Sequence, residues 1–104
     1  MSVILNISIF PLDKGEDLGA YVARAMNVIQ ASGLPYVMGP MGTAIEGSSV
    51  QEVLGLASRC YADLEPDCNR VYMMMNVDAR KGRTDGLRTK VKSVQAKMAG
   101  GQPE

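Results

Sequence analysis

The stretch Gly33-Leu34-Pro35-Tyr36-Val37-Met38-Gly39-Pro40-Met41-Gly42-Thr43-Ala44-Ile45-Glu46-Gly47 sets two short apolar runs on either side of Gly39-Pro40. Glycine and proline punctuate strands, so the segment predicts two short strands, about 34–39 and 41–47, joined as a hairpin or a kinked pair. The second arm carries one hydroxyl, Thr43, and one carboxylate, Glu46. Neither helps a sheet bury itself, so each is either solvated or used.

Working outward, residues 3–10 (Val-Ile-Leu-Asn-Ile-Ser-Ile-Phe) read as a strand closed by Pro11. Leu5, Ile7 and Ile9 fall on one face, and Asn6, Ser8 and Phe10 on the other. Asp13 followed by Glu16 has capping-box spacing and predicts a helix start. Leu18, Val22, Ala25, Met26 and Ile29 then recur at helical spacing until Gly33. Beyond the hairpin, Ser49 and Glu52 repeat the capping-box pattern before a second helix over about 49–64. Its expected buried stripe is Val50, Val53, Leu54, Ala57 and Leu64, and Pro66 ends it. Residues 70–78 read as a fourth strand with Val71, Met73, Met75 and Val77 on one face and Tyr72, Met74, Asn76 and Asp78 on the other. Leu87, Val91, Val94 and Met98 mark a short third helix, and 100–104 reads as a frayed tail.

The order βαββαβ followed by α predicts an α+β fold. Four antiparallel strands form a ferredoxin-like sandwich with two helices on one face and an extra C-terminal helix. A chain of 104 residues supports one such domain. The open face of the sheet is then expected to show Asn6, Ser8, Phe10, Tyr72, Met74, Asn76 and Asp78, with Tyr36 and Thr43 close by. Polar groups interleaved with large apolar ones on one surface point to an interface or a ligand groove.

Composition narrows the chemistry. Eleven Lys and Arg balance eleven Asp and Glu, which argues against a general attraction to nucleic acid or membrane. One phenylalanine and four tyrosines are sparse stacking material for an RNA-recognition sheet. The run from Arg80 to Lys97 is locally basic and reads as a solvated helix face or an anion-binding patch. Histidine is absent, which removes the commonest general base and the commonest transition-metal ligand. Cys60 and Cys68 without a histidine make no usual zinc site and read as reduced thiols. Neither a spanning apolar run nor a secretory pattern is visible, so the expected location is cytoplasmic, with no membrane partner and no cofactor.

The hairpin segment 33–47, together with Arg70-Val71 and Asp78-Ala79-Arg80, resembles the thiamine-binding (YkoF-like) family. The likeness extends to the opening strand and to the third helix with its Lys90. It implies a ferredoxin-like fold assembled as a homodimer or a dimer of dimers. It also implies non-catalytic binding of thiamine or its hydroxymethylpyrimidine half. Thr43 and Glu46 occupy the matching hairpin positions, Asp78 and Arg80 match the end of the fourth strand, and Ser8 stands at a small polar position of the first. At Cys60-Tyr61 the chain departs from the family, which often has a histidine there.

Ligand chemistry gives the same set of candidates. An aminopyrimidine wants hydroxyl, amide or carboxylate partners, which Ser8, Thr43, Asn76 and Asp78 could supply. Its flat ring wants walls such as Tyr36 and Met41, a thiazolium wants Glu46, and a phosphate wants Arg80 or Lys81. The expected function is binding of a thiamine-like molecule in salvage, delivery or sensing. The alternatives are a homo-oligomeric assembly module without a ligand, or a small enzyme using Glu46 or Asp78 as general base.

Overall fold

The molecule, a computed structural model that describes residues 1–98 and Gly100, runs β1 (Ser2–Pro11), α1 (Gly19–Ala31), β2 (Tyr36–Met38), β3 (Thr43–Gly47), α2 (Val50–Leu64), β4 (Val71–Arg80) and α3 (Gly86–Lys97). Apart from Gly100, the tail expectation for 100–104 falls outside the described residues. The strands form one antiparallel sheet in the order β2-β3-β1-β4. This is the expected α+β sandwich. No described helix is long and apolar enough to cross a membrane.

Residues directly opposite in an antiparallel pair point to the same side, so the register assigns the faces. Val3, Leu5 and Ile7 of β1 stand opposite Gly47, Ile45 and Thr43 of β3 and opposite Ala79, Val77 and Met75 of β4. This is the side on which α1 and α2 lie. Val3, Leu5, Ile7, Ile9 and Ile45 pack there with Ala25 and Ile29 of α1 and Val53, Leu56 and Ala57 of α2 as one buried core. Cys60 and Cys68 are free and buried in it, and burial pushes the Cys60 thiol up to about 11.

Three expectations need correction. Asp13 does not cap α1, which starts six residues later after Leu18 without a side-chain cap. Instead its carboxylate accepts hydrogen bonds from the amides of Asn69 and Arg70, which ties the β1–α1 connection to the start of β4. In α2 the Ser49 cap is real, because its Oγ accepts from the Glu52 amide at 3.1 Å. The Glu52 carboxylate reaches Ser48 rather than Ser49, and the buried stripe is Val53, Leu56, Ala57, Cys60 and Leu64, leaving Val50 and Leu54 exposed. A stripe one residue over is within the tolerance of a helical wheel.

The third correction concerns the two faces. α3 does not join α1 and α2; it starts on the opposite face of the sheet, where Gly86 lies against Ser2 and Ile4. Tyr36 and Thr43, expected close by that open face, stand opposite Ile45 and Ile7 respectively and so belong to the side of α1 and α2. A shift of one residue in register flips every side chain of a strand, and three-residue β2 carries too little pattern to fix it.

Candidate functional site

Six of the eight candidate residues fall into two groups, and Asn76 and Tyr36 each stand apart. Ser8, Met41 and Thr43 meet at one cavity. Glu46, Asp78 and Arg80 lie toward the other end of β1, around the start of α3. Asn76 stands opposite Asn6 on the open face, and Tyr36, half-exposed, begins β2 on the helix side.

At the α3 end, the polar groups are matched to one another. Glu46 stands opposite Ile4 and points to the open face. Its Oε2 accepts from the Ser2 hydroxyl at 2.6 Å and from the Gly86 amide at 2.8 Å, while Oε1 accepts from the Leu87 amide at 3.1 Å. The carboxylate thus satisfies two of the donors that every helix start leaves unpaired, and its charge suits the positive end of the helix dipole. Burial penalises that charge, but the Ser2 hydroxyl, the two amides and nearby Arg83 outweigh it and hold the Glu46 carboxyl below its ordinary value. Next to it, Asp78 Oδ2 accepts from Lys90 Nζ at 2.8 Å and from the buried Arg83 guanidinium at 2.9 Å. Lys90 and Arg83 together lower the Asp78 carboxyl to about 2. Arg83 also donates to the main-chain oxygens of Ser2 and Asp78. These contacts fasten α3 to β1, β3 and β4. Arg80 closes β4 opposite Ser2 with an exposed side chain.

The cavity lies at the other end of β1. It has a volume of about 350 Å³ and is bounded by Ile7–Phe10 of β1, by Leu18 just before α1, by Val22, Ala25, Met26 and Ile29 of α1, and by Met38–Thr43 of the hairpin. That size lies at the lower end of small-molecule sites. The walls are mostly aliphatic and thioether; Thr43 sets its hydroxyl among them, and Ser8, whose side chain has the parity of the open face, borders the space at the edge of the sheet. Thr43 is buried, and its hydroxyl is engaged only weakly, with Met26 Sδ at 3.3 Å. Val22 shares its helical spacing with the buried Ala25 and Ile29, and its partial exposure follows from facing this space. Met41 at the hairpin tip is 87% exposed and overhangs the opening.

Sequence reasoning missed most of this wall. Met38, Val22 and Leu18 read as strand or core residues, because periodicity reports which side of an element is apolar and not whether the apolar side meets a neighbour. The signal that could have found the cavity is the hairpin itself. Gly39-Pro40 shortens β2 and β3, so β1 extends past them.

Similarity to other proteins is consistent along the whole fold. The sequence pattern of a family described as thiamine-binding protein matches residues 5–95. A UPF0045 protein of Mycobacterium bovis is 37% identical over 95 residues, which span 91% of this chain and 93% of that one. The crystal structure of a hypothetical protein from Methanocaldococcus jannaschii superposes with a TM-score of 0.81 at 29% identity, covering 89% of this chain and 95% of the other. A candidate thiamine biosynthesis/salvage protein from Thermotoga maritima shares the fold, with a TM-score of 0.74 at 23% identity over 88% of this chain and 98% of its own.

Proposed function

The chain belongs to the thiamine-binding protein family, and on that premise we propose that it binds thiamine, or the hydroxymethylpyrimidine half of it, in the cavity between α1 and the hairpin. The observation that carries this reading is the Thr43 hydroxyl, buried among apolar walls with only a thioether for a partner among the described residues. A thioether is a weak acceptor, so a ligand nitrogen or oxygen is the better partner for that hydroxyl. Ser8 borders the same space, and Met38, Met41 and Val22 offer flat apolar contact to a heteroaromatic ring. In this reading Ser8, Met41 and Thr43 touch the pyrimidine, and Tyr36 flanks the hairpin that holds them. Glu46 and Asp78 act by fixing α3, while Asn76 and Arg80 remain available to a partner surface or to a longer, phosphorylated ligand.

Binding without catalysis fits the state of the two carboxylates. A general base works best when its pKa lies near the working pH. Glu46 and Asp78 are both held below the ordinary carboxyl range and are already engaged. The role is salvage, delivery or sensing in the cytoplasm, a location supported by two buried free thiols. Calorimetric titration with thiamine, thiamine phosphates and hydroxymethylpyrimidine tests it: saturable binding of at least one supports the reading, and none at millimolar concentration contradicts it.

A second reading, self-association, is favoured by β4. This ten-residue edge strand exposes apolar side chains on both faces: Tyr72 and Met74 on one, Met75 and Val77 on the other. A long apolar edge with unpaired main-chain groups is a template for another strand. Two copies pairing through β4 would leave the cavity, on the far side of β1, free for ligand. Sedimentation of the wild type against Val77→Lys reads this directly, with a dimer expected for the first and a monomer for the second.

A further inference from the structure

The cavity has a polar group that belongs to no side chain. In antiparallel pairing, successive residues of a strand turn their N–H and C=O alternately to the two neighbouring strands. Two bonds set the phase for β1. The Leu12 amide donates to the Arg70 carbonyl on the β4 side, so the even-numbered residues of β1 bond to β4. On β3, the Glu46 amide donates to the Pro35 carbonyl, which leaves Thr43, Ile45 and Gly47 turned to β1. Hence Val3, Leu5 and Ile7 exchange their main-chain bonds with β3, and Ile9 also turns its N–H and C=O to that side. The place of Gly42 agrees, since a Cβ there would sit 3.2 Å from the Ile7 oxygen.

The pairing with β3 stops at Ile7 opposite Thr43. Continued by two residues it would set Met41 opposite Ile9, but the chain turns away through Pro40 and Met41. The only strand partner of Ile9 among the described residues is Met73, on the β4 side. Pro11, the next residue turned the same way, brings no N–H. Ile9 lines the cavity together with Thr43 and Ser8, so its donor and acceptor lie side by side at the edge of an apolar space.

We infer that the main-chain N–H and C=O of Ile9 are the specificity-determining edge of this site, pairing with a ring that carries an exocyclic amino donor beside a ring-nitrogen acceptor. The ring completes the ladder where β3 leaves it: its amino group donates to the Ile9 oxygen, and its ring nitrogen accepts from the Ile9 amide. The Thr43 hydroxyl then meets a substituent, and Met38 and Met41 cover the faces. This rests on the cavity being the ligand site and goes further by naming the class admitted. That class is amino-substituted six-membered azaheterocycles, including ones that are not thiamine, with rings lacking the amino group excluded.

The test uses the full chain, uniformly labelled with 15N and with 13C in its methionine methyls. It is titrated with 4-amino-5-hydroxymethyl-2-methylpyrimidine and with the same compound lacking the amino group. The expected result is a large shift and slowed solvent exchange of the Ile9 amide on binding the first compound, and at least tenfold weaker binding of the second. If Met38 and Met41 methyls shift while the Ile9 amide does not, or if both compounds bind equally, the cavity reading stands and the main-chain reading is overturned. If neither compound perturbs any cavity resonance, both are overturned.

Discussion

The two ends of the β1–β3 pair use the same kinds of residue for opposite purposes. At the α3 end a hydroxyl (Ser2), a carboxylate (Glu46) and two amides (Gly86, Leu87) close on one another, and Asp78, Arg83 and Lys90 do the same alongside. At the hairpin end the Thr43 hydroxyl and a strand amide face an apolar space, and among the described residues the partner of Thr43 is a sulfur. Unmatched polar groups cost stability, so a fold retains them where something else pairs with them. The lesson is that a polar residue type marks a site only once its partners are counted. Glu46 carries the most reactive group of the hairpin and is spent on holding a helix.

The contrast breaks most sharply by filling one end and leaving the other intact. Val22→Trp puts an indole into the cavity, and binding of any cavity ligand is expected to weaken at least about a hundredfold, roughly 2.7 kcal/mol. The urea midpoint should stay close to wild type, because Val22 is not part of the buried core. Retained affinity in calorimetry would move the site elsewhere.

The reverse experiment acts on the other end. Glu46→Ala strands the Gly86 and Leu87 amides and the Ser2 hydroxyl, which should cost about 1–3 kcal/mol of stability in urea denaturation. Ligand affinity in the remaining folded protein should be unchanged. A selective loss of affinity without loss of stability would instead make Glu46 a ligand contact.

A milder change sharpens the hairpin end. Thr43→Val keeps the shape and removes the hydroxyl, whose present bond to Met26 Sδ is weak. Affinity is expected to drop about five- to tenfold, roughly 1–1.4 kcal/mol, with stability altered by less than about 1 kcal/mol. Equal affinities for the two proteins would remove Thr43 from the contacts.

The smallest expected effect is a pH dependence of stability confined to the α3 end. Glu46 and Asp78 have folded-state pKa values below their ordinary ones, Asp78 near 2. Their contribution is therefore complete above the ordinary carboxyl range and is lost as pH falls through the folded values. Thermal melts should weaken between about pH 4 and pH 2, and Asp78→Asn should flatten part of that slope. A wild-type slope unchanged in the variant would mean that Asp78 contributes no linkage.

How far the sequence disclosed this depends on the kind of signal. β1 and β4 are long and β-branched or alternating, and the pattern of period two placed Leu5, Ile7 and Ile9 on one face and Tyr72, Met74, Asn76 and Asp78 on one face, as the register has them. The Ser49 cap was legible because its partner is three residues away. The side occupied by α3 was not, since it depends on Glu46 meeting amides 40 and 41 residues later. The faces of Tyr36 and Thr43 failed for a related reason, because a three-residue strand takes its register from its neighbours. Among the candidate residues, Met41 and Thr43 meet Ser8 of the first strand because the glycine-rich turn that named the first two also truncates β3. Asp78 and Arg80 were read from strand position, family resemblance and ligand chemistry, none of which shows that Arg83 and Lys90 already pair with Asp78.

The most direct measurement is the methionine methyl spectrum, because methionines lie on both sides of β1, at the cavity and on β4. On titration with the ligand, the methyls of Met26, Met38 and Met41 should shift together and saturate at one dissociation constant, while Met74 and Met75 of β4 stay in place. Shifts confined to Met74 and Met75, with the three cavity methyls silent, would contradict the account and return the site to β4 and the open sheet face.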